Sequence, residues 1–235
     1  MKFFYSASVM GYGQGYKWHK NYNFPDFPRV TRTMTYDKRI GIPFAVLKFG
    51  DSVWNRVGLH NIGVFDWLLD HTFYDPSMYD LSNIILSIAG TDDQLKEIMY
   101  TINISDLGLG GVELNFSCPN VHSFNNKEIP ESKYPLYLKL NYKQDVYEYD
   151  LDNIAGIRMN SVPGRFCGAW SGKRARKYNW PKIETYVYQG LNVAGCSITS
   201  MDDIKYLEEY VGCKEIGIGS IILTNPRLVE GLKEE

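Results

Sequence analysis

The decapeptide Gly111-Val112-Glu113-Leu114-Asn115-Phe116-Ser117-Cys118-Pro119-Asn120 decides the fold. Residues 112–114 read as a short buried β-strand that ends in two carboxamides flanking a thiol and a proline. Packing gives a core strand no reason to end in Asn, Ser, Cys and Asn. Polar groups gathered at the C-terminal end of a strand are what an α/β barrel uses to build an active site. Asn115 and Asn120 each offer a donor and an acceptor to a planar, amide-bearing ligand. Cys118 has the chemistry of a nucleophile or a general base. A lone cysteine after a strand is usually structural; the surrounding Asn-x-x-Cys-Pro-Asn turns this one toward chemistry.

Outward from this stretch, short apolar runs alternate with helix-like segments, with no low-complexity linker between them. Strand-like runs fall at 3–7, 29–31, 84–88, 112–114, 136–140, 157–159, 191–194 and 215–218, the strand count of a barrel. Two helices announce their starts. Thr91-Asp92-Asp93-Gln94 has the form of a capping box, followed by Leu95, Ile98, Met99 and Ile102 at helical spacing. Ser200-Met201-Asp202-Asp203 has the same form, followed by Ile204, Leu207 and Tyr210. Alternating strand and helix implies a parallel sheet, because parallel neighbours need a crossover between them. Alternation alone does not separate a closed barrel from an open sheet.

The chain has 235 residues, enough for one large domain and slightly short of the roughly 250 typical of a (β/α)₈ barrel. An apolar content of 44% and a charged content of 22% fit a globular protein. A net charge of −2 argues against nucleic acid as a partner. The four cysteines, at 118, 167, 196 and 213, form no Cys-x-x-Cys pair, which argues against zinc or iron–sulfur ligation and fits a reducing cytoplasm. No run approaches the ~18 apolar residues of a membrane span, and the N-terminal apolar run is too short for a signal peptide.

The decapeptide resembles the Glu-Leu-Asn-x-Ser-Cys-Pro-Asn signature of class 1 dihydroorotate dehydrogenases, and other motifs follow in family order. Residues 8–13 are similar to the end of the family's first strand, and residues 31–43 to its second strand and loop. Asn55-Arg56-Val57-Gly58-Leu59-His60-Asn61-Ile62-Gly63 resembles its Asn-x-Met-Gly-Leu-Pro-Asn-x-Gly loop, and Ser87-Ile88-Ala89-Gly90 its third-strand end. Leu138-Lys139-Leu140 stands where the family has a flavin-facing lysine, and Asn160-Ser161 where it has an Asn-Ser or Asn-Thr pair. Gly168-Ala169-Trp170-Ser171-Gly172 resembles Gly-Gly-x-Ser-Gly, and Ile218-Gly219-Ser220 the last-strand Val-Gly-Thr.

The resemblance implies a single compact (β/α)₈ TIM barrel over residues 1–235, with shortened active-site loops, oxidising dihydroorotate to orotate in pyrimidine biosynthesis. Cys118 would take the C5 proton while FMN accepts the hydride from C6. Substrate would be held by Arg32, Asn55, Val57, Gly58, Leu59, Asn115, Asn120, Asn160 and Ser161. FMN would be held by Ser6, Ala7, Ser8, Arg32, Thr33, Asn55, Asn115, Lys139, Ser171, Gly172, Cys196, Ser197, Gly219 and Ser220. No metal is implied. The expected protein is cytoplasmic and binds neither membrane nor nucleic acid; fumarate is the family's electron acceptor for stand-alone homodimers, whereas an NAD route would need a partner subunit.

Four features depart from the family pattern. Arg32 replaces a lysine, Ser8 replaces a glycine, and Cys196-Ser197 replaces a Gly-Gly phosphate turn. The segments from Cys118 to Lys139 and from Asn160 to Gly168 are short, and the family's segment before strand one is missing, which predicts less cover over the flavin. Two other readings stand beside the first: a flavin- or pyrimidine-binding protein without turnover, and another FMN-barrel pyrimidine oxidoreductase.

Overall fold

The structure, a computed structural model, describes residues 1–42, 45–72, 80–117, 128–164 and 168–233. The strands among them are β1 (Lys2–Tyr5), β2 (Arg29–Val30), β3 (Val46–Phe49), β4 (Ser52–Asn55), β5 (Ile84–Ile88), β6 (Gly111–Asn115), β7 (Leu136–Leu140), β8 (Ile154–Met159), β9 (Val162–Pro163), β10 (Ala169–Gly172) and β11 (Glu215–Ile218). The α-helices are α1 (Val64–Thr72), α2 (Asp92–Ile104), α3 (Lys173–Tyr188), α4 (Met201–Lys205), α5 (Ile221–Thr224) and α6 (Pro226–Glu230).

Seven strands form one curled, all-parallel sheet in the order β11-β1-β2-β5-β6-β7-β8. The predicted strand at 191–194 is corrected to a run of single bridges. Val193 bridges Ile157 of β8, and Gly195 bridges Ile216 of β11, both in parallel. Ala194 N–H donates to Ile157 O at 2.9 Å, whereas Gly195 N–H donates to Glu215 O at 2.8 Å. The backbone changes partner between these two residues, so no continuous ladder forms. The segment nevertheless pairs with both edge strands of the seven-stranded sheet.

Both faces of these strands are covered, as parallel strands require. Along β6 and β7, Leu114, Leu138 and Leu140 enter the main apolar core, while Glu113, Asn115 and Lys139 point to the other face. Phe4, Val30, Ile85 and Ala194 form a separate small cluster. The main core lies under the helices. In α2, Leu95, Ile98, Met99 and Ile102 are all buried, and Thr91 closes the predicted capping box with Gln94.

The second capping box, Ser200 with Asp203, starts α4 as expected. Beyond it, residues 206–211 widen into a π-helical turn. The added residue per turn rotates the following positions, so Leu207 stays buried but Tyr210 faces solvent and stacks on Tyr206.

A second, antiparallel sheet in the order β3-β4-β10-β9 has no counterpart in the strands read from the sequence. β3 and β4 meet through the two-residue loop Gly50-Asp51, with Gly50 at φ 55°, a conformation that favours glycine in tight hairpins.

Candidate active site

A cavity of about 1420 Å³ opens where the parallel strands end. Its lining comes from segments following β1, β2, β6, β7, β8 and β11, the C-terminal face on which barrel chemistry is built. The antiparallel sheet flanks it through Val46, Val53, Asn55, Ala169 and Ser171, and so supplies cover on that side. The volume exceeds the roughly 300–1,000 Å³ of a pocket for one small ligand, which leaves room for a cofactor together with a substrate. Among the described residues, the charged side chains of the lining are Arg32, Arg56, Lys139 and Arg158 against Glu113 alone, a balance suited to anionic ligands.

Glu113 is the electrostatic centre of the floor. It is 1% exposed, and its Oε1 accepts from Lys139 Nζ at 3.1 Å and from Ser87 Oγ at 2.8 Å. Its Oε2 accepts from Arg158 Nη1 at 3.3 Å. Burial alone would raise the Glu113 carboxyl above the usual range. The Lys139 and Arg158 cations and the Ser87 hydroxyl outweigh that, and the carboxyl is held below it.

Hydrogen bonds carry this order up to the rim. Ser87 Oγ pairs with Thr33 Oγ1 at 2.9 Å, and Asn115 Nδ2 donates to that same threonine oxygen at 3.0 Å. Asn115 Oδ1 accepts from Ser117 Oγ at 2.9 Å, and Asn160 Nδ2 donates to Ser117 Oγ at 2.7 Å. Asn160 Oδ1 in turn accepts from Ser161 N–H at 2.8 Å. Asn115 and Asn160 are therefore fixed in orientation before any ligand arrives, which is the preorganisation that binding and catalysis use.

Cys196, Ser197 and Asn179 join the lining next to Asn160. Burial pushes the Cys196 thiol up, only partly offset by the Ser197 and Asn179 hydrogen bonds, so it is kept protonated. Asn179, 1% exposed on α3, donates to Asn160 O at 3.1 Å and to Cys196 Sγ at 3.5 Å, while its Oδ1 has no partner among the described residues. The two serines that stand in place of family glycines both keep a left-handed backbone, Ser8 at φ 71° and Ser197 at φ 61°. The turns are therefore retained at the cost of strain that glycine would avoid.

Every predicted site residue within the described chain lines this one cavity: Ser6, Ala7, Ser8, Arg32, Thr33, Asn55, Val57, Gly58, Leu59, Asn115, Lys139, Asn160, Ser161, Ser171, Gly172, Cys196, Ser197, Gly219 and Ser220. Cys118 and Asn120 lie outside the described residues. Burial pushes the pKa of the Tyr12 hydroxyl up, and the Arg32 guanidinium partly offsets that rise. Sequence reasoning gave no role to Glu113, Ser87 or Arg158, nor to Tyr16 and Trp18, which wall the cavity with aromatic surface. Charged residues inside otherwise apolar strands, Glu113 in β6 and Arg158 in β8, were the signal available.

No family model matches the chain. Over 119 residues it is 32% identical to the catalytic subunit of dihydroorotate dehydrogenase B (NAD(+)) from Desulforamulus reducens. That match takes in 49% of this chain and 38% of the relative, so the likeness spans well under half of the relative's length. Among solved structures, DHODH from Eimeria tenella in complex with ferulenol aligns with a TM-score of 0.72 at 12% identity, covering 98% of this chain and 78% of that one. The chain is thus similar to a dihydroorotate dehydrogenase over about half of its sequence, and to others in fold. Ligand-free DHODH from the same organism aligns with a TM-score of 0.63 at 12% identity, over 86% of this chain and 74% of the other. At that identity the structural likeness concerns the fold alone. No helix among the described residues is long and apolar enough to cross a membrane.

Proposed function

We propose that this chain is an FMN-dependent oxidoreductase that converts dihydroorotate to orotate, on an eight-membered barrel closed by residues 193–195. The observation that carries the reading is the convergence of all the described positions expected to form the site on one cavity with fixed carboxamides and an excess of cations.

The residues present fit FMN. The backbone at Gly172 and Gly217 runs close against hydroxyl groups: a Cβ at Gly172 would fall 3.0 Å from Ser220 Oγ, and one at Gly217 would fall 2.8 Å from Ser6 Oγ. Together with Ser171 and Ser197 these hydroxyls supply donors for a phosphate, and the unpartnered Asn179 Oδ1 offers an acceptor for a hydroxyl-bearing chain. Lys139 would hold the polar edge of the flavin ring. When bound, FMN supplies the hydride acceptor.

Asn55, Asn115, Asn120 and Asn160 hydrogen-bond the pyrimidine edges, with Ser161 assisting. A ligand lacking those edges leaves buried amides unpaired, which gives the site its selectivity. Val57, Gly58 and Leu59 close over the ring. Arg32 faces the substrate carboxylate. Cys118 removes the C5 proton, and Cys196 is unsuited to that role because its thiol is held protonated. Fumarate is the electron acceptor we assign, and the working unit is a homodimer in the cytoplasm.

Reconstitution tests the binding half of this reading. Protein incubated with FMN and desalted is expected to stay yellow, and orotate is expected to perturb the bound flavin's absorbance in a saturable way. Loss of all flavin on desalting contradicts the cofactor assignment. Retained flavin that orotate leaves unperturbed contradicts the substrate assignment.

A further inference from the structure

The cavity floor holds a buried cation to which substrate and cofactor recognition assigns no role. Arg158 is 4% exposed, and its guanidinium carbon sits 4.0 Å from the Phe4 ring centroid and 3.9 Å from that of Tyr137. Glycines make room for both rings: a Cβ at Gly217 would come within 2.9 Å of Phe4, and one at Gly111 within 2.8 Å of Tyr137. The strands thus form a slot shaped for a flat guanidinium. Within it Arg158 reaches Glu113 through Nη1, while its Nε finds no partner among the described residues. Burying a second cation is costly, and Glu113 is already paired with Lys139 at 3.1 Å. A neutral Lys139–Glu113 pair would need no arginine beneath it.

We infer that Arg158 is a positioning residue that keeps the Glu113–Lys139–Arg158 cluster at a net charge of +1, two cations less one carboxylate, and thereby favours the reduced state of the bound flavin. This rests on the FMN reading above. On taking up two electrons and one proton, FMN becomes more negative by one charge. With Arg158 present, Glu113 cannot cancel both cations, and a positive field remains at the floor. The Phe4 and Tyr137 rings keep water from the guanidinium, so that field is weakly screened.

The test measures the midpoint potential of FMN bound to four full-length chains: the parent, Arg158→Met, Glu113→Gln, and the double variant. Their cluster charges are +1, 0, +2 and +1 in that order. Arg158→Met is expected to weaken the preference for reduced over oxidised FMN about tenfold, which is about 30 mV more negative for a two-electron couple. Glu113→Gln is expected to move the potential the other way, and the double variant to return near the parent. Arg158→Lys should hold the parent value. A purely structural role would weaken flavin retention in all the variants without reversing the sign. If Arg158→Met does not fold, the comparison of Glu113→Gln with the double variant decides, the double lying more negative. Equal potentials throughout, or a more negative potential in Glu113→Gln, overturn the inference and leave the flavin reading standing. A parent chain that retains no FMN overturns both.

Discussion

Asn115 ties strand, turn and neighbour together through one carboxamide, donating to Thr33 and accepting from Ser117. Cys118 follows three positions later in the sequence, and in the proposed reaction Asn115 would orient the ring on which Cys118 acts. Cys118→Ala is expected to retain FMN while the rate of flavin reduction by dihydroorotate falls by about 10²–10⁴, the range of a general base. Cys118→Ser should keep part of that rate, and stopped-flow absorbance distinguishes the three chains. Full reduction in the alanine variant would remove Cys118 from the mechanism. Arg32 lines the cavity, and in the proposed reaction its charge meets the substrate carboxylate. Arg32→Ala is expected to weaken orotate binding about 10–150-fold, the equivalent of one charged hydrogen bond of about 1.5–3 kcal/mol, whereas Arg32→Lys should bind orotate like the parent. Titrations in which both variants match the parent would assign Arg32 to the scaffold. Glu113 gives a pH prediction. Its carboxyl is held below the usual range in the folded chain, so its stabilising contribution is present above that range and is lost as pH falls through the lower, folded-state value. The urea midpoint is therefore expected to drop below about pH 4.3, and to drop less in Glu113→Gln. Identical acid profiles for the two chains would contradict this.

Elements differ in how plainly the sequence announces them. β5, β7 and β11 were legible to the residue because each is a short apolar run bounded by turn formers. α2 was legible from its cap and its four buried apolar positions. The antiparallel sheet was not. Val46-Leu47-Lys48-Phe49-Gly50-Asp51-Ser52-Val53-Trp54-Asn55 carries a hairpin signal in Gly50-Asp51, but its partner β10 lies more than a hundred residues away and reads locally as a glycine-rich turn. That sheet anchors the start of α3, because Lys173 N–H donates to Asp51 O at 3.1 Å and Arg174 N–H to Ser52 Oγ at 3.1 Å. Gly172 sits at this junction with φ 71°, and a Cβ there would meet Asp51 O at 2.3 Å. Gly172→Ala is therefore expected to cost at least about 1–3 kcal/mol in urea unfolding and to loosen FMN. Ile98→Ala, inside α2, should cost about 2–5 kcal/mol with FMN retention unchanged. If Gly172→Ala were as stable as the parent and held FMN equally, the anchoring role of the junction would be wrong.

Across the whole molecule, the positions of the site were legible and its electrostatics were not. Motif order along the chain brought together residues as distant as Ser6 and Ser220, which now line one cavity. Periodicity could not show which face of β6 or β8 lines that cavity, because both faces of these strands are buried and alternation loses its inside–outside meaning. Glu113 and Arg158 stood out as charges in apolar strands, but their pairing needed the strands side by side, with Lys139 of β7 opposite Arg158 and two residues along from the partner of Glu113. In the proposed reaction the cavity holds a flavin on hydroxyl-lined turns, fixes a pyrimidine between oriented carboxamides, and leaves one base to take a proton. The most direct measurement of that chemistry is an anaerobic titration of the FMN-loaded chain with dihydroorotate, followed by absorbance and by analysis of the product. The account predicts bleaching of the flavin with one orotate formed per flavin reduced, and return of the yellow colour on addition of fumarate. A flavin that binds tightly yet stays oxidised at saturating dihydroorotate would contradict it, and would make this chain a binding protein on an enzyme's fold.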